Sequence, residues 1–216
     1  MRAYVSMCLC GSIIHYKELV KPTNMQLSSF LQRFNEPETL KMAKLGRELR
    51  AKGVDVIDLS LGEPDFDTPA HIKEAAIKAI HDNWTHYTPV PGFLDLREAI
   101  CIKFKRDNNL DYTPENIVVS TGAKQSLANA VLALVDEGDE VIIPTPFWVT
   151  YSELVKIARG KVVEIKTTTE QGFKITAQQL EAAITPKTKM FLFSSPCNPS
   201  GAVYSKEELE ALATVF

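Results

Sequence analysis

Apolar positions along this chain switch repeatedly between a helical and a twofold period, and the switching outlines its elements. Over residues 38–52, Leu40, Met42, Ala43, Leu45 and Leu49 recur near helical spacing among Lys, Arg and Glu, and Gly53 stands where that helix stops. Residues 54–59 alternate as a short strand and run into the turn-rich Gly62-Glu63-Pro64-Asp65. Thr68-Pro69 predicts the next helix, with the hydroxyl as N-cap and proline at the first helical position. Its apolar face is Ile72, Ala75, Ala76, Ile77 and Ile80. Residues 84–93, with two prolines and a glycine, predict a loop, and 94–107 another helix.

Strands are predicted at 117–120, 140–143, 161–166 and 189–193, and helices at 124–135 and 149–158. Thr176-Ala177-Gln178-Gln179 is a capping box opening a helix to about residue 184. Ser205-Lys206-Glu207-Glu208 is a second, before the last helix. Strands alternating with helices at this spacing indicate βαβ units around a largely parallel sheet, an α/β fold. The last apolar face (Leu209, Leu212, Val215) is still running at Phe216, with no glycine, proline or polar cap, so the chain is expected to be a fragment.

Composition narrows the classes without choosing among them. The 216 residues are 45% hydrophobic and 24% charged, ordinary for a soluble globular protein. A net charge of −3 gives no electrostatic case for nucleic acid or an anionic membrane. No stretch approaches the ~20 apolar residues of a membrane-spanning helix. Cys8, Cys10, Cys101 and Cys197 match no zinc or CxxC spacing, which reads as a reduced, cytoplasmic thiol inventory. Residues 1–24 are moderately apolar behind Arg2, but Ser6, Gly11 and Ser12 break the run and no small-x-small site follows. They are expected to be an upstream extension rather than an export signal, with ordinary folded sequence opening at Met25.

Three loops carry candidate chemistry. Ser120-Thr121-Gly122-Ala123-Lys124 lies where a strand is predicted to enter a helix, and free amides at a helix start favour an anion. Many such turns carry a glycine and a lysine, however, and the GxxxxGK[ST] spacing of a P-loop is absent. Pro144-Thr145-Pro146-Phe147-Trp148 follows the next strand, on the side where open α/β sheets bind ligands. Trp148 suits a planar ring, although an aromatic there is more often core. The run from Ser194 to Gly201 holds two prolines and a glycine, which impose an unusual backbone path, and Asn198 offers both a donor and an acceptor.

Together with Leu61-Gly62-Glu63-Pro64-Asp65-Phe66, Tyr87-Thr88-Pro89-Val90-Pro91-Gly92 and Leu96-Arg97-Glu98, these motifs resemble the class I aminotransferases. Those are pyridoxal-phosphate enzymes of fold type I, and the bacterial subgroup with aspartate and aspartate/prephenate aminotransferases is the nearest in kind. The resemblance runs from about Leu27 to Phe216. It implies a partial fold: residues 25–65 as the N-terminal segment of the small domain, and 66–216 as the first part of the large cofactor-binding domain, with a mainly parallel sheet. It implies pyridoxal 5′-phosphate as cofactor, held at its phosphate by the amides of Ala123 and Lys124. Trp148 would stack on the ring and Asn198 would bond its phenolic oxygen. Gly62 would lie beside the substrate carboxylate, and Trp148 and Asn198 would also border the substrate. Tyr87 would reach the phosphate of a neighbouring subunit, making a homodimer with shared sites. Pro146 and Pro199 would follow cis peptide bonds.

The implied reaction moves an amino group between aspartate and 2-oxoglutarate in a ping-pong cycle, with aromatic amino acids, prephenate or a lyase reaction as alternatives. The chain also departs from the family. Pro37-Glu38-Thr39 stands where relatives often have Ser-Ala-Thr, and Cys197 stands where Asn is frequent, with a small filler the simpler reading of it. The family's Schiff-base lysine lies in a Ser/Lys-rich segment well downstream. Lys124 and Lys206 do not fit it, so no catalytic residue is expected within this chain, and the chain alone is expected to be inactive. A truncated, non-enzymatic protein is the alternative from another class.

Overall fold

The computed structural model describes residues 8–9, 12–13, 28–34, 38–57, 59, 62 and 64–216. Most of the 1–24 extension therefore lies outside the described residues, as do Pro37, Leu61 and Glu63. The chain divides into two compact units, residues 1–35 and 36–216. In the first, β1 (Cys8–Leu9) pairs antiparallel with β2 (Ser12–Ile13), and Ser29–Arg33 forms a 3-10 turn whose Phe30 amide donates to Ser28 Oγ at 3.3 Å.

The second unit contains α1 (Glu38–Ala51), α2 (Ala70–His81), α3 (Leu94–Asn108), α4 (Ala123–Leu134), β3 (Glu140–Pro144), α5 (Thr150–Ile157), β4 (Lys161–Ile165), α6 (Ala177–Ala183), β5 (Thr188–Phe191) and α7 (Lys206–Ala213). Its strands form a parallel sheet in the order β4-β3-β5. This is the α/β arrangement that the alternating pattern predicts. Successive side chains of a strand face opposite ways, and β3 uses both faces. Val141 and Ile143 pack with Val131 and Val135 of the α4 end and Tyr151, Leu154 and Val155 of α5. Ile142 points the other way, among Ile165, Ile175, Leu180, Tyr204 and Leu212. Each fully buried Val or Ile of this kind contributes about 1.5–3 kcal/mol from burial.

Both capping boxes form as their side chains direct. Gln179 N donates to Thr176 Oγ1 at 3.2 Å while Gln179 Oε1 accepts from Thr176 N at 2.9 Å. Ser205 and Glu208 repeat the reciprocal pair at 3.2 and 2.7 Å. At α2, by contrast, Pro69 rather than Thr68 occupies the cap, with no side-chain cap bond. Ile72 N and Lys73 N reach the Pro69 carbonyl, so the helix begins one residue later than predicted.

Two predicted strands do not form. Residues 54–57 and 59 join no ladder, and Ile57 and Leu59 are 87% and 90% exposed. An alternating sequence becomes a strand only when a neighbour supplies hydrogen-bonding partners, and among the described residues none pairs with this segment. Residues 117–120 are likewise outside the sheet, with Val119 N donating instead to Pro91 O at 3.0 Å. β5 begins a residue early and ends at Phe191, although Leu192 N still reaches Ile142 O at 2.9 Å. The last helix closes at Ala213, where Thr214 N bonds back to Glu210 O and Thr214 Oγ1 donates to Ala211 O.

Among the described residues, one charged side chain of the sheet is buried. Glu140, at the start of β3 and 6% exposed, accepts from Thr185 Oγ1 at 2.7 Å and from Lys161 Nζ at 2.9 Å. The Thr185 hydroxyl first, and the Lys161 ammonium second, hold its carboxyl below the usual glutamate range. An unfolded chain binds that proton more readily. The stability Glu140 confers is therefore complete above the ordinary value of about 4.3 and is lost as pH falls through the depressed folded value. Glu140→Gln is expected to flatten the acid limb of a stability profile measured by denaturant unfolding between about pH 7 and about pH 3. Equal acid slopes in the variant and the natural chain would contradict this.

Candidate functional site

The turn into α4 is built to leave donors free. Gly122 caps the helix at φ 96°, a conformation that strains any residue with a side chain. Its carbonyl accepts from Gln125 N at 3.1 Å and Ser126 N at 3.4 Å. The Gln125 side chain turns back to accept from Thr121 N at 2.6 Å and from the Thr121 hydroxyl. The amides of Ala123 and Lys124, at the first two helical positions, have no acceptor among the described residues. A Cβ placed on Gly122 would meet nothing within 4 Å, so the space around this turn is open. Two free amides at the positive end of a 12-residue helix fit an oxyanion such as phosphate.

The loop after β3 brings an aromatic plane to this turn. It passes through a cis Thr145–Pro146 bond and is anchored to the end of β4 and the residues just beyond it. Thr145 N donates to Ile165 O at 2.9 Å, and the Thr167 hydroxyl donates to Thr145 O. Trp148 is half-buried, edge-on to Tyr151 with ring centres 5.8 Å apart. Lys124 Nζ stands 5.1 Å from the centre of the Trp148 ring, so one side chain spans from the anion turn to the aromatic face.

The loop after β5 contains two more cis bonds, Ser195–Pro196 and Asn198–Pro199. Those at Pro146 and Pro199 agree with the sequence reading, which did not single out Pro196. Gly201 N to Cys197 O (2.7 Å) and Cys197 N to Ala202 O (2.8 Å) fold the loop on itself. Asn198 is exposed, and its carboxamide makes no hydrogen bond among the described residues. Cys197 Sγ donates to Pro146 O at 3.3 Å and so joins this loop to the one carrying Trp148. Cys197 is half-buried and thus a tie between loops rather than a buried filler. Behind the loop, Tyr204 N donates to Ser195 Oγ at 3.1 Å, and the Tyr204 hydroxyl accepts from Ile175 N at 2.9 Å. Burial pushes the Tyr204 phenol up from its ordinary value.

Lys124 joins Trp148 to the anion turn, and the Pro146–Cys197 bond brings in the loop of Asn198. No described contact joins Gly62 or Tyr87 to this group. Gly62 has open space about its Cα, and the Tyr87 ring is fully exposed, without a hydrogen bond or ring contact among the described residues. The Lys124–Trp148, Thr145–Thr167 and Cys197–Pro146 contacts escaped the sequence reading because each links different elements, and no local pattern marks them. Among the described residues no cluster of His, Cys, Asp and Glu could hold a metal, and no helix is long and apolar enough to cross a membrane.

Residues 54–216 match the family described as Aminotransferase class I and II. The chain is 53% identical over 192 residues to an aspartate/prephenate aminotransferase of Nitrosomonas europaea, a match that covers 89% of this chain and 48% of that protein. It superposes on the crystal structure of an aspartate aminotransferase from Rhizobium meliloti with a TM-score of 0.84 and 48% identity, over 88% of this chain and 48% of that one. The aspartate aminotransferase of Thermus thermophilus with maleate gives a TM-score of 0.84 and 47% identity, over 88% and 50%. The chain spans about half the length of the relatives it matches.

The open turn yields a direct test. Ala123→Pro deletes one free amide at a position where proline is tolerated, and Gly122 at ψ 163° suits a following proline. Stability should change by less than about 1 kcal/mol. Affinity for inorganic phosphate, read by titration calorimetry, should fall about tenfold or more, the loss of one hydrogen bond to a charged group. Undiminished phosphate affinity would show that these amides are not the anion site.

Proposed function

Because the chain belongs to the class I and II aminotransferase family, we propose that it seats pyridoxal 5′-phosphate in an enzyme that moves an amino group between aspartate and 2-oxoglutarate. The observation that carries this reading is the meeting of two free amides, a half-buried tryptophan face and an unpaired carboxamide on loops tied to one another. That donor set fits a planar ring bearing a phosphate and an ionisable oxygen.

In this reading Ala123 and Lys124 hold the phosphate through their amides. Trp148 covers one face of the ring and keeps water from it. Asn198 donates to the phenolic oxygen and so favours its ionised form. When bound, the cofactor supplies an electron sink and an amino carrier, which suits a ping-pong exchange of an amino acid and a 2-oxo acid. Gly62 lies beside the substrate carboxylate. Tyr87, whose ring is fully exposed, reaches the phosphate of a second subunit, so the working form is a cytoplasmic homodimer with shared sites. Residues 25–65 belong to a small domain and 66–216 to a large one. The maleate complex of the Thermus protein supports an acidic substrate. The extra carboxylate of Glu38 keeps prephenate or an aromatic amino acid in view, and the Nitrosomonas relative's name agrees with that breadth.

Proton transfer at the substrate α-carbon requires a base, and in this reading neither Lys124 nor Lys206 serves as one. The 216-residue chain by itself is expected to transfer no amino group from aspartate to 2-oxoglutarate. In a Trp84→Phe background, pyridoxal 5′-phosphate is expected to quench Trp148 fluorescence. Asn198→Ala should weaken that binding about tenfold or more, the loss of one hydrogen bond to a charged oxygen. Transamination by the chain alone would refute its inactivity, and failure of the cofactor to perturb Trp148 would refute the seating.

A further inference from the structure

Segment 118–121, which leads into the anion turn, belongs to no sheet. Among the described residues one main-chain bond ties it to a distant part of the chain, Val119 N to Pro91 O at 3.0 Å. Beside that bond Gly92, at φ 98°, packs so closely that an added Cβ would lie 2.7 Å from Val119 Cγ2 and 2.9 Å from Val119 Cβ. Arg97 of α3 holds the two sides of this junction. Its Nε donates to Gly92 O at 3.2 Å, and its Nη1 donates to Pro114 O at 2.7 Å. Pro114 opens the 3-10 turn from which Ile117 emerges, with Ile117 N bonded to Pro114 O at 3.2 Å. One rigid guanidinium thus fastens carbonyls on both strands of chain that meet at Val119. A planar fork with several donors can do this where an ammonium acts as a point.

We propose that Arg97 is a positioning residue for the phosphate turn. It acts through Gly92 and Val119, and touches neither the turn nor its ligand. The same clasp orients the loop of Tyr87, because Gly92 N closes a turn onto Pro89 O at 2.9 Å just after it. Phosphate donors on two surfaces are then set by a single fastening. The inference rests on the reading of Ala123 and Lys124 as phosphate donors.

The test compares the natural chain with Arg97→Gln and Arg97→Lys. Hydrogen exchange at the Val119 amide should quicken about fivefold in Arg97→Gln. The preference for pyridoxal 5′-phosphate over pyridoxal, taken as a ratio of Kd values, should fall by a similar factor, with Arg97→Lys recovering part of it. A merely structural role would weaken both ligands together and leave the ratio unmoved. A ratio near one in the natural chain would remove the phosphate reading itself. A ratio well above one that Arg97→Gln leaves unchanged, or unchanged Val119 exchange, would overturn this inference alone. If exchange also quickens through Val141–Ile143, Arg97→Gln has loosened the whole fold and Arg97→Lys is read instead, where an intermediate ratio supports the clasp and an unchanged one overturns it. Global loosening of both variants would make Arg97 a fold determinant and would equally overturn its positioning role.

Discussion

Val141, Ile142 and Ile143 expose no surface, and the layered arrangement of the larger unit comes from covering them on two sides. A strand flanked by β4 and β5 has its hydrogen bonds satisfied at both edges, but its side chains still project to both faces of the sheet. α4 and α5 close one face, while α6 and α7 close the other. A parallel sheet requires crossover connections, and two of the covering helices, α5 and α6, are those connections. Glu140 extends this logic to a charge: it is tolerated in the sheet because Thr185 and Lys161 bond both of its oxygens.

The site inherits its geometry from that packing. α4 is held against β3 and α5 by Val131 and Val135, which sets where its N-terminal amides stand. The same strand delivers Pro144 and the Trp148 loop, and its neighbour β5 delivers the loop of Asn198. Three otherwise unremarkable turns therefore meet because one buried strand positions the elements around it. The ties between them are light: a cation over a ring and a thiol on a carbonyl. Such contacts adjust loops whose approximate positions are already set by the core.

Much of this was legible in the order of residues. The helices, the strands at β3 and β4 and both capping boxes come from local periodicity and from side chains that reach two or three residues along the chain. The motifs around Gly122, Trp148 and Asn198, taken as a set, mark the aminotransferase family, although each alone is ambiguous. Residues 54–57 and 59, from an alternating segment, and 117–120, a β-branched run, are not strands, because no described strand pairs with them. The sequence reading also misplaced the start of α2, because nothing local distinguishes Thr68 from Pro69 as the last residue before the helix.

Local sequence thus determined which segments are able to be helices, which turns carry open amides and which residue types are available to hold a ring and a phosphate. These properties depend on backbone geometry and on neighbours within a helical turn. Tertiary structure decided which alternating segments became strands, that Lys124 lies over Trp148, that Cys197 bonds Pro146, and that Arg97 grips Gly92 and Pro114. Each of those outcomes needs a partner from another element. Only the burial of β3 between two helical layers brings most of these partners within reach.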